Sequence, residues 1–328
     1  MAEATIRDVA RRAQVSVASV SRALNGLENV SEGTRAKVAD AARDLGYVPH
    51  AGARSLSLAR SNAIGVVLPD LHGEFFSEIV RGMDREASRL GYLLLLSNMH
   101  GRKEQAVTAL HAMRGRVDGL IVMAPHLSEA ELGQALPAGF PVVLINTRSA
   151  ENGRPAIHLD NAAGASAVVE HLAALGRTRL VHIAGPAGNL DAQERADAFR
   201  RACAERSVEC AIVQGDFSEE SGSAAIEALL GSGRDFDAVF AANDNMALGA
   251  LQALRAAGKR VPEDVAVAGF DDIPLAKLVG LTTVRVNIAE IGQRALERLL
   301  GILADGGGEG DEMHAPELVV RATSETAR

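Results

Sequence analysis

A chain of 328 residues, 47% hydrophobic and 23% charged, is long enough for more than one core, and no apolar run approaches the ~18 residues of a membrane-spanning helix. Its net charge of −8 excludes uniform attraction to nucleic acid or to an anionic membrane surface. The charge is uneven, however: residues 1–60 carry nine Lys or Arg against six Asp or Glu, or +3, which leaves −11 on the remainder, and a basic head on an acidic body is expected where one module alone meets phosphates.

The N-terminal charges are followed by no apolar segment, so a cytoplasmic chain is expected. Within Thr5 to Leu24, Ile6, Val9, Ala10 and Ala13 fall at i, i+3, i+4 and i+7 and give a first helix one apolar face. Val20 and Leu24 give a second helix a narrower one. Thr5, with Asp8 three residues on, caps the first helix and Ser16 the second. The second helix then shows Val17, Ala18, Ser19, Ser21, Arg22 and Asn25 outward. Small groups, hydroxyls, an amide and one guanidinium suit entry into a DNA major groove. An ordinary helical hairpin has a solvated polar face too, so the flanking pattern matters. Ser31 caps a third helix whose Val38, Ala41, Ala42 and Leu45 share a face and which ends at Gly46, with Pro49 beyond. Three helices within fifty residues match a helix-turn-helix head.

The segments TIRDVA, VSVASVSRALN, VSEGTRAKV, LGYVP and ARSL stand in the order and spacing of the lactose-repressor (LacI/GalR) family of bacterial regulators, and this resemblance extends over essentially the whole chain. It implies an all-α helix-turn-helix head (1–48) joined by a hinge (49–61) to an α/β two-lobed body (62–328) of the periplasmic-binding-protein type with parallel sheets. The expected lobes are about 62–160 with 288–318, and about 161–287 with 319–328. In the hinge, Leu56 coincides with the leucine that family members wedge into the minor groove. Thr5, Ser16, Ser31 and the outward residues of the second helix complete the expected DNA contacts.

From Ala63 the chain alternates β-rich runs with amphipathic helices, which argues for parallel sheets covered on both faces. Strands are expected at Ala63 to Leu68, Tyr92 to Leu96, Gly119 to Met123, Val142 to Ile145, Leu180 to Ala184, Ala211 to Gln214, Ala238 to Ala241 and Val265 to Phe270, with Leu318 to Arg321 as a returning strand. Met246, Ala247, Leu248, Ala250, Leu251 and Leu254 make one helix apolar on more than one side, so it is wholly buried or packs a second subunit. The tract Gly306 to Gly310 reads as a loop.

Ligands in open parallel sheets bind beyond the carboxyl ends of the strands. Asp70, Asn146, Asp191, Asn243 and Asp271 all follow strands, and their carboxylates and amides suit a ring of hydroxyls. Phe76 and Phe217 offer apolar faces to such a ring. Post-strand Asn and Asp are also common turn formers and caps. The resemblance separates them: Asn243 in AANDNMALGAL, Asp271 in GFDDI, Arg195, Asn146 and Phe217 match positions where members contact effectors, whereas Asp244 and Asp272 are expected to brace.

The nine histidines include no HExxH, the two cysteines, Cys203 and Cys210, form no CxxC, and neither a GxxxxGK[ST] loop nor a GxSxG elbow occurs. No metal, cofactor or catalytic centre is therefore expected. The favoured reading is a repressor of carbohydrate genes that binds palindromic operator DNA as a homodimer and answers to a small sugar-like effector. A sugar-binding transport protein is the alternative, and it has no use for residues 5–46.

Overall fold

The computed structural model describes residues 4–27, 29–48, 60–127, 129–136, 139–147, 154–306 and 310–325. The expected hinge residues 49–59, Leu56 included, lie outside this set. Contacts divide the chain into two compact units, one of residues 1–63 with 116–118 and one of the remainder.

In the first unit, α1 (Ile6–Ala13), α2 (Val17–Leu24) and α3 (Glu32–Asp44) enclose a core of Val9, Ala10, Ala13, Val20, Val38, Ala41 and Ala42. The helices start where local chemistry directs. Ser16 Oγ accepts from Ser19 N at 3.1 Å and Ser31 Oγ from Thr34 N at 3.3 Å, each satisfying one orphan donor of a first turn. At α1 the Asp8 carboxylate takes both Thr5 N (3.0 Å) and the Thr5 hydroxyl (2.6 Å). Leu45, expected on the buried face of α3, is exposed. Gly46, at φ 61°, reverses the backbone, so that Tyr47 packs on the core in its place. A few residues further, the Asp118 carboxylate accepts from Ser61 N, Ser61 Oγ and Asn62 N at 2.6, 2.8 and 2.9 Å.

The second unit holds two parallel sheets. The first runs in the order β11 (Glu312–His314), β5 (Ala156–Leu159), β4 (Val142–Ile145), β3 (Gly119–Val122), β1 (Ala63–Leu68), β2 (Leu93–Asn98). The second runs β7 (Glu209–Gln214), β6 (Arg179–Ala184), β8 (Ala238–Ala241), β9 (Ala266–Ala268). A two-stranded antiparallel ribbon, β10 (Thr283–Arg285) with β12 (Glu317–Val319), joins the second sheet through a bridge from Ala268 to Thr282. The chain crosses between the lobes three times: after β5, after β10 and between β11 and β12.

All eight expected strands exist, three (β1, β4 and β8) with the expected ends and five with shifted ones. The returning strand is corrected to Glu317–Val319, pairing antiparallel in the ribbon. Strands β5, β10 and β11 were not expected: AIHL, TVR and EMH are both short and interrupted by polar residues, so no apolar run marks them, and their partners are distant in sequence.

Helices α4 (Glu74–Leu90), α5 (Lys103–Met113), α6 (Glu129–Ala135) and α12 (Ile288–Asp305) accompany the first sheet, and α7 (Asn161–Ala174), α8 (Leu190–Glu205), α9 (Glu219–Gly231), α10 (Asp244–Ala256) and the short α11 (Pro274–Val279) the second. In each lobe one helix pair meets backbone to backbone. A Cβ on Gly82 of α4 would stand 1.9 Å from Ala289 O and one on Gly292 of α12 2.1 Å from Ile79 O; on Gly222 of α9 it would stand 2.1 Å from Met246 O and on Gly249 of α10 1.9 Å from Glu219 O. That contact, with the sheet on its other side, buries Met246, Ala247, Ala250, Leu251 and Leu254 within one chain, so α10 is apolar on more than one side without a second subunit, and Gln252 and Arg255 face outward. Gly306 ends α12 at φ 68°, and residues 307–309 of the glycine tract lie outside the described set.

Candidate functional site

In the head, α2 leaves Ser16, Val17, Ala18 and Arg22 exposed, with Val17 at 42%. Ser19, Ser21 and Asn25 are half-buried, and Asn25 Nδ2 reaches Ser21 Oγ at 3.4 Å. The basic residues of the head are not equivalent. Arg11 pairs with Asp8, Arg12 with Asp44 (2.8 Å) and Arg43 with Asp40, whereas among the described residues no carboxylate pairs with Arg22. Its five donors are therefore available for a base edge or phosphate.

In the body, the carboxyl ends of β4, β6 and β8 bring the expected polar residues toward one line of contact. Its centre is Arg195 on α8, 4% exposed. The guanidinium donates from Nε to Asn161 Oδ1 (2.8 Å) and from Nη1 to the Ala242 carbonyl, lies 3.9 Å from Asp271 Oδ1, and stacks 3.7 Å from the Phe270 ring centroid. Asn161 opens α7 directly after the crossing from β5. Its Nδ2 donates to both Asp191 Oδ1 (2.8 Å) and Glu194 Oε2 (2.9 Å). One amide thus ties two carboxylates to one guanidinium, in a place where an unpaired charge is costly.

Two cavities flank this line. The first, about 370 Å³, is lined by Asn146, Asp191, Asn161, Glu194, Asp160 and His158 among others. The second, about 350 Å³, is lined by Asp271, Asp272, Glu78, Arg285, Asn287 and Ile288 among others. Burial pushes the Asp271 carboxyl up to about 7 and raises Asp191 as well, in each case against the lowering effect of Arg195.

The remaining expected residues are held otherwise. Asn146, at φ 44°, accepts Leu159 N at 3.1 Å. Asn243 caps α10 by accepting Met246 N at 2.9 Å and donates to Phe217 O at 3.0 Å, so both ends of its amide are engaged. The Phe217 ring lies over Gly185, where a Cβ would stand 2.4 Å away. Phe76 is half-buried and meets Phe75 edge to face at 5.3 Å. Neither phenylalanine nor Asn243 lines either cavity. Asp244 accepts from Ile273 N and the Thr283 hydroxyl, and Asp272 from Arg285 and Arg321, so both brace.

Asn161, Glu194 and His158 were missed. The post-strand rule that flags Asn146 flags Asn161 equally, but only once β5 is known. Glu194 gives no separate signal beside Arg195 on a helix.

Residues 5–50 match the family model described as bacterial regulatory proteins, lacI family, and residues 169–324 match that of a periplasmic binding protein-like domain. A ribose operon repressor of Halalkalibacterium halodurans is 36% identical over 291 residues, covering 88% of this chain and 87% of the relative. The HTH-type transcriptional repressor CytR of Escherichia coli is 35% identical over 332 residues, covering 98% and 96%. Among solved structures, the Lac repressor dimer bound to operator and the anti-inducer ONPF superposes with a TM-score of 0.89 at 30% identity, covering 98% of this chain and 99% of that one. A transcriptional regulator CelR–cellobiose complex gives 0.72 at 30% identity, covering 98% and 100%. With a helix-turn-helix head, a two-lobed α/β body and relatives matched almost end to end, this chain belongs to the LacI family of bacterial regulatory proteins.

Proposed function

We propose that this protein is a transcriptional repressor of carbohydrate-utilisation genes, acting in the cytoplasm, whose affinity for a palindromic operator is switched by a small hydroxyl-rich effector held between the lobes. The observation that carries the reading is the combination, in one chain, of an exposed α2 on which no described carboxylate pairs with Arg22 and a body with one cavity lined by Asn161 and Asp191 and another by Asp271, Arg195 touching Asn161 of the first and lying 3.9 Å from Asp271 of the second. The relatives named for ribose and for cellobiose lend the effector its class, and the one bound to operator lends the head its partner.

Val17 and Ala18 meet thymine methyls and apolar edges, Arg22 takes guanine O6 and N7, and Thr5, Ser16, Ser19, Ser21, Asn25 and Ser31 serve phosphates or flanking bases. Leu56 enters the minor groove at the operator centre. Asn146, Asp191 and Asp271 meet the effector from the cavity walls and Arg195, which lines neither cavity, positions Asn161 and Asp271 from behind, while Asn243, Phe217 and Phe76 shape the segments around it. The apolar residues on edge strand β2, with Leu93 69% exposed, and Leu278, 82% exposed on α11, are covered by a second copy of the chain, which supplies the two heads that a palindrome requires.

Gel shifts on a palindromic site selected from random DNA, with and without a panel of sugars, test the reading. A selected half-site bound by two copies, released or tightened by one sugar, is expected. Selection of no palindrome, or binding indifferent to every compound that raises the melting temperature, overturns it.

A further inference from the structure

The charge lining the two cavities restricts what they admit. We infer that the effector carries hydrogen-bond donors and no negative charge, and that Asp191 and Glu194 enforce this choice; the inference rests on the effector-site reading above.

Carboxylates outnumber basic side chains on both walls. Asp160, Asp191 and Glu194 line the first cavity and Glu78, Asp271, Asp272 and Glu290 the second. The cations near them are engaged inside the protein. Arg195 is held by Asn161 and the Ala242 carbonyl, Arg285 by Asp272 at 2.7 Å and Glu317 at 3.4 Å, and His158 Nε2 lies 3.4 Å from Asp311. Asn161 spends its amino group on Asp191 and Glu194 at once. Acceptors, by contrast, remain. Asp271 is 5% exposed and lines the second cavity, and among the described residues nothing donates a hydrogen bond to its carboxylate; its nearest charged partner is Arg195 at 3.9 Å. An acceptor that opens on a cavity and has no protein donor is available to a ligand hydroxyl or ammonium. A phosphate or carboxylate group meets like charge in a low-dielectric wall and finds no uncommitted cation to answer it.

The test uses the full chain at fixed ionic strength, with glucosamine, glucose and glucose 6-phosphate, ribose and ribose 5-phosphate, and inorganic phosphate as probes. Calorimetry, melting temperature and operator gel shifts are read together. Every compound that binds is expected to be uncharged or aminated, and phosphate is expected to leave the melting temperature unchanged. Asp191→Asn and Glu194→Gln keep acceptor oxygens for Asn161 while removing a charge, so each is expected to melt higher than the parent without any probe. This second arm decides the matter even if no probe binds. A sugar phosphate binding more tightly than its parent sugar, or both variants melting lower, overturns the inference. If that sugar phosphate also changes operator affinity, the effector reading stands while this inference falls; a neutral sugar that binds without changing operator affinity supports the charge rule and removes the effector reading.

Discussion

Arg22 and Arg195 place the same group in opposite surroundings. Arg22 stands exposed on α2 beside small side chains, with no carboxylate paired to it among the described residues, whereas Arg195 is 4% exposed and bound by Asn161, a carbonyl, an aromatic face and a carboxylate. DNA brings its own charge and water, so a reading surface needs reach and free donors. A small molecule brings little energy of its own. Its site therefore has to be dry and arranged beforehand, and the electrostatic cost of that arrangement is held in the folded body.

Removing the buried guanidinium is the hardest blow to this contrast. Arg195→Ala leaves Asp191 and Asp271 buried without their cation, and a loss of about 3–5 kcal/mol is expected for breaking a buried charge cluster. Thermal melting of the full chain checks this: the body transition falls sharply while that of the head holds. Arg22→Ala does the reverse. A loss of about 1–3 kcal/mol of operator affinity is expected, with an unchanged melting temperature and relaxed preference at one base pair; gel shifts on single-base operator variants read both. Ser31→Ala strips the cap of α3 and is expected to destabilise the head by roughly 1 kcal/mol, seen in the head transition alone.

The smallest effect is one of slope. The folded-state pKa of Asp271, about 7, lies above its ordinary value of 3.8, so its contribution is fully present below about pH 4 and is lost as pH rises through about 7. Asp271→Asn is expected to melt above the parent at pH 8, with the difference closing toward pH 5. His182, buried against Phe199 and Phe240 and held down to about 3, acts in the opposite direction: it contributes stability above its ordinary value of 6.5 that is lost as pH falls through about 3. The difference between variant and parent, in which His182 is common, is therefore the quantity to measure. In the head, Asp8 is lowered by the hydrogen bonds from Thr5, so its contribution is lost as pH falls and survives at pH 8. A difference between Asp271→Asn and parent that does not vary with pH removes Asp271 from the body's acid balance.

The head was legible residue by residue because everything that forms it acts over a few positions. Ile6, Val9, Ala10 and Ala13 share a face by helical period, Ser16 and Ser31 cap amides three residues on, and Gly46 takes a positive φ that other residues resist. Leu45, which period places on the buried face, sits at the helix end, where period gives way to turn geometry, and Ser19, Ser21 and Asn25, read as outward, are half-buried. In the body, the apolar parallel strands were legible from their runs, and Asn146, Asn243 and Asp271 as candidates from their place after strands, whereas Arg195 came from the family resemblance alone. How each of those is held was decided by partners far off in sequence. Asn161 meets Arg195 across 34 positions, Asp244 meets Thr283 across 39, and β11 joins β5 across some 150. No local pattern encodes such pairs: a carboxylate after a strand looks the same whether a hydroxyl, a guanidinium or a ligand completes it, and only packing the lobes together decides which one arrives.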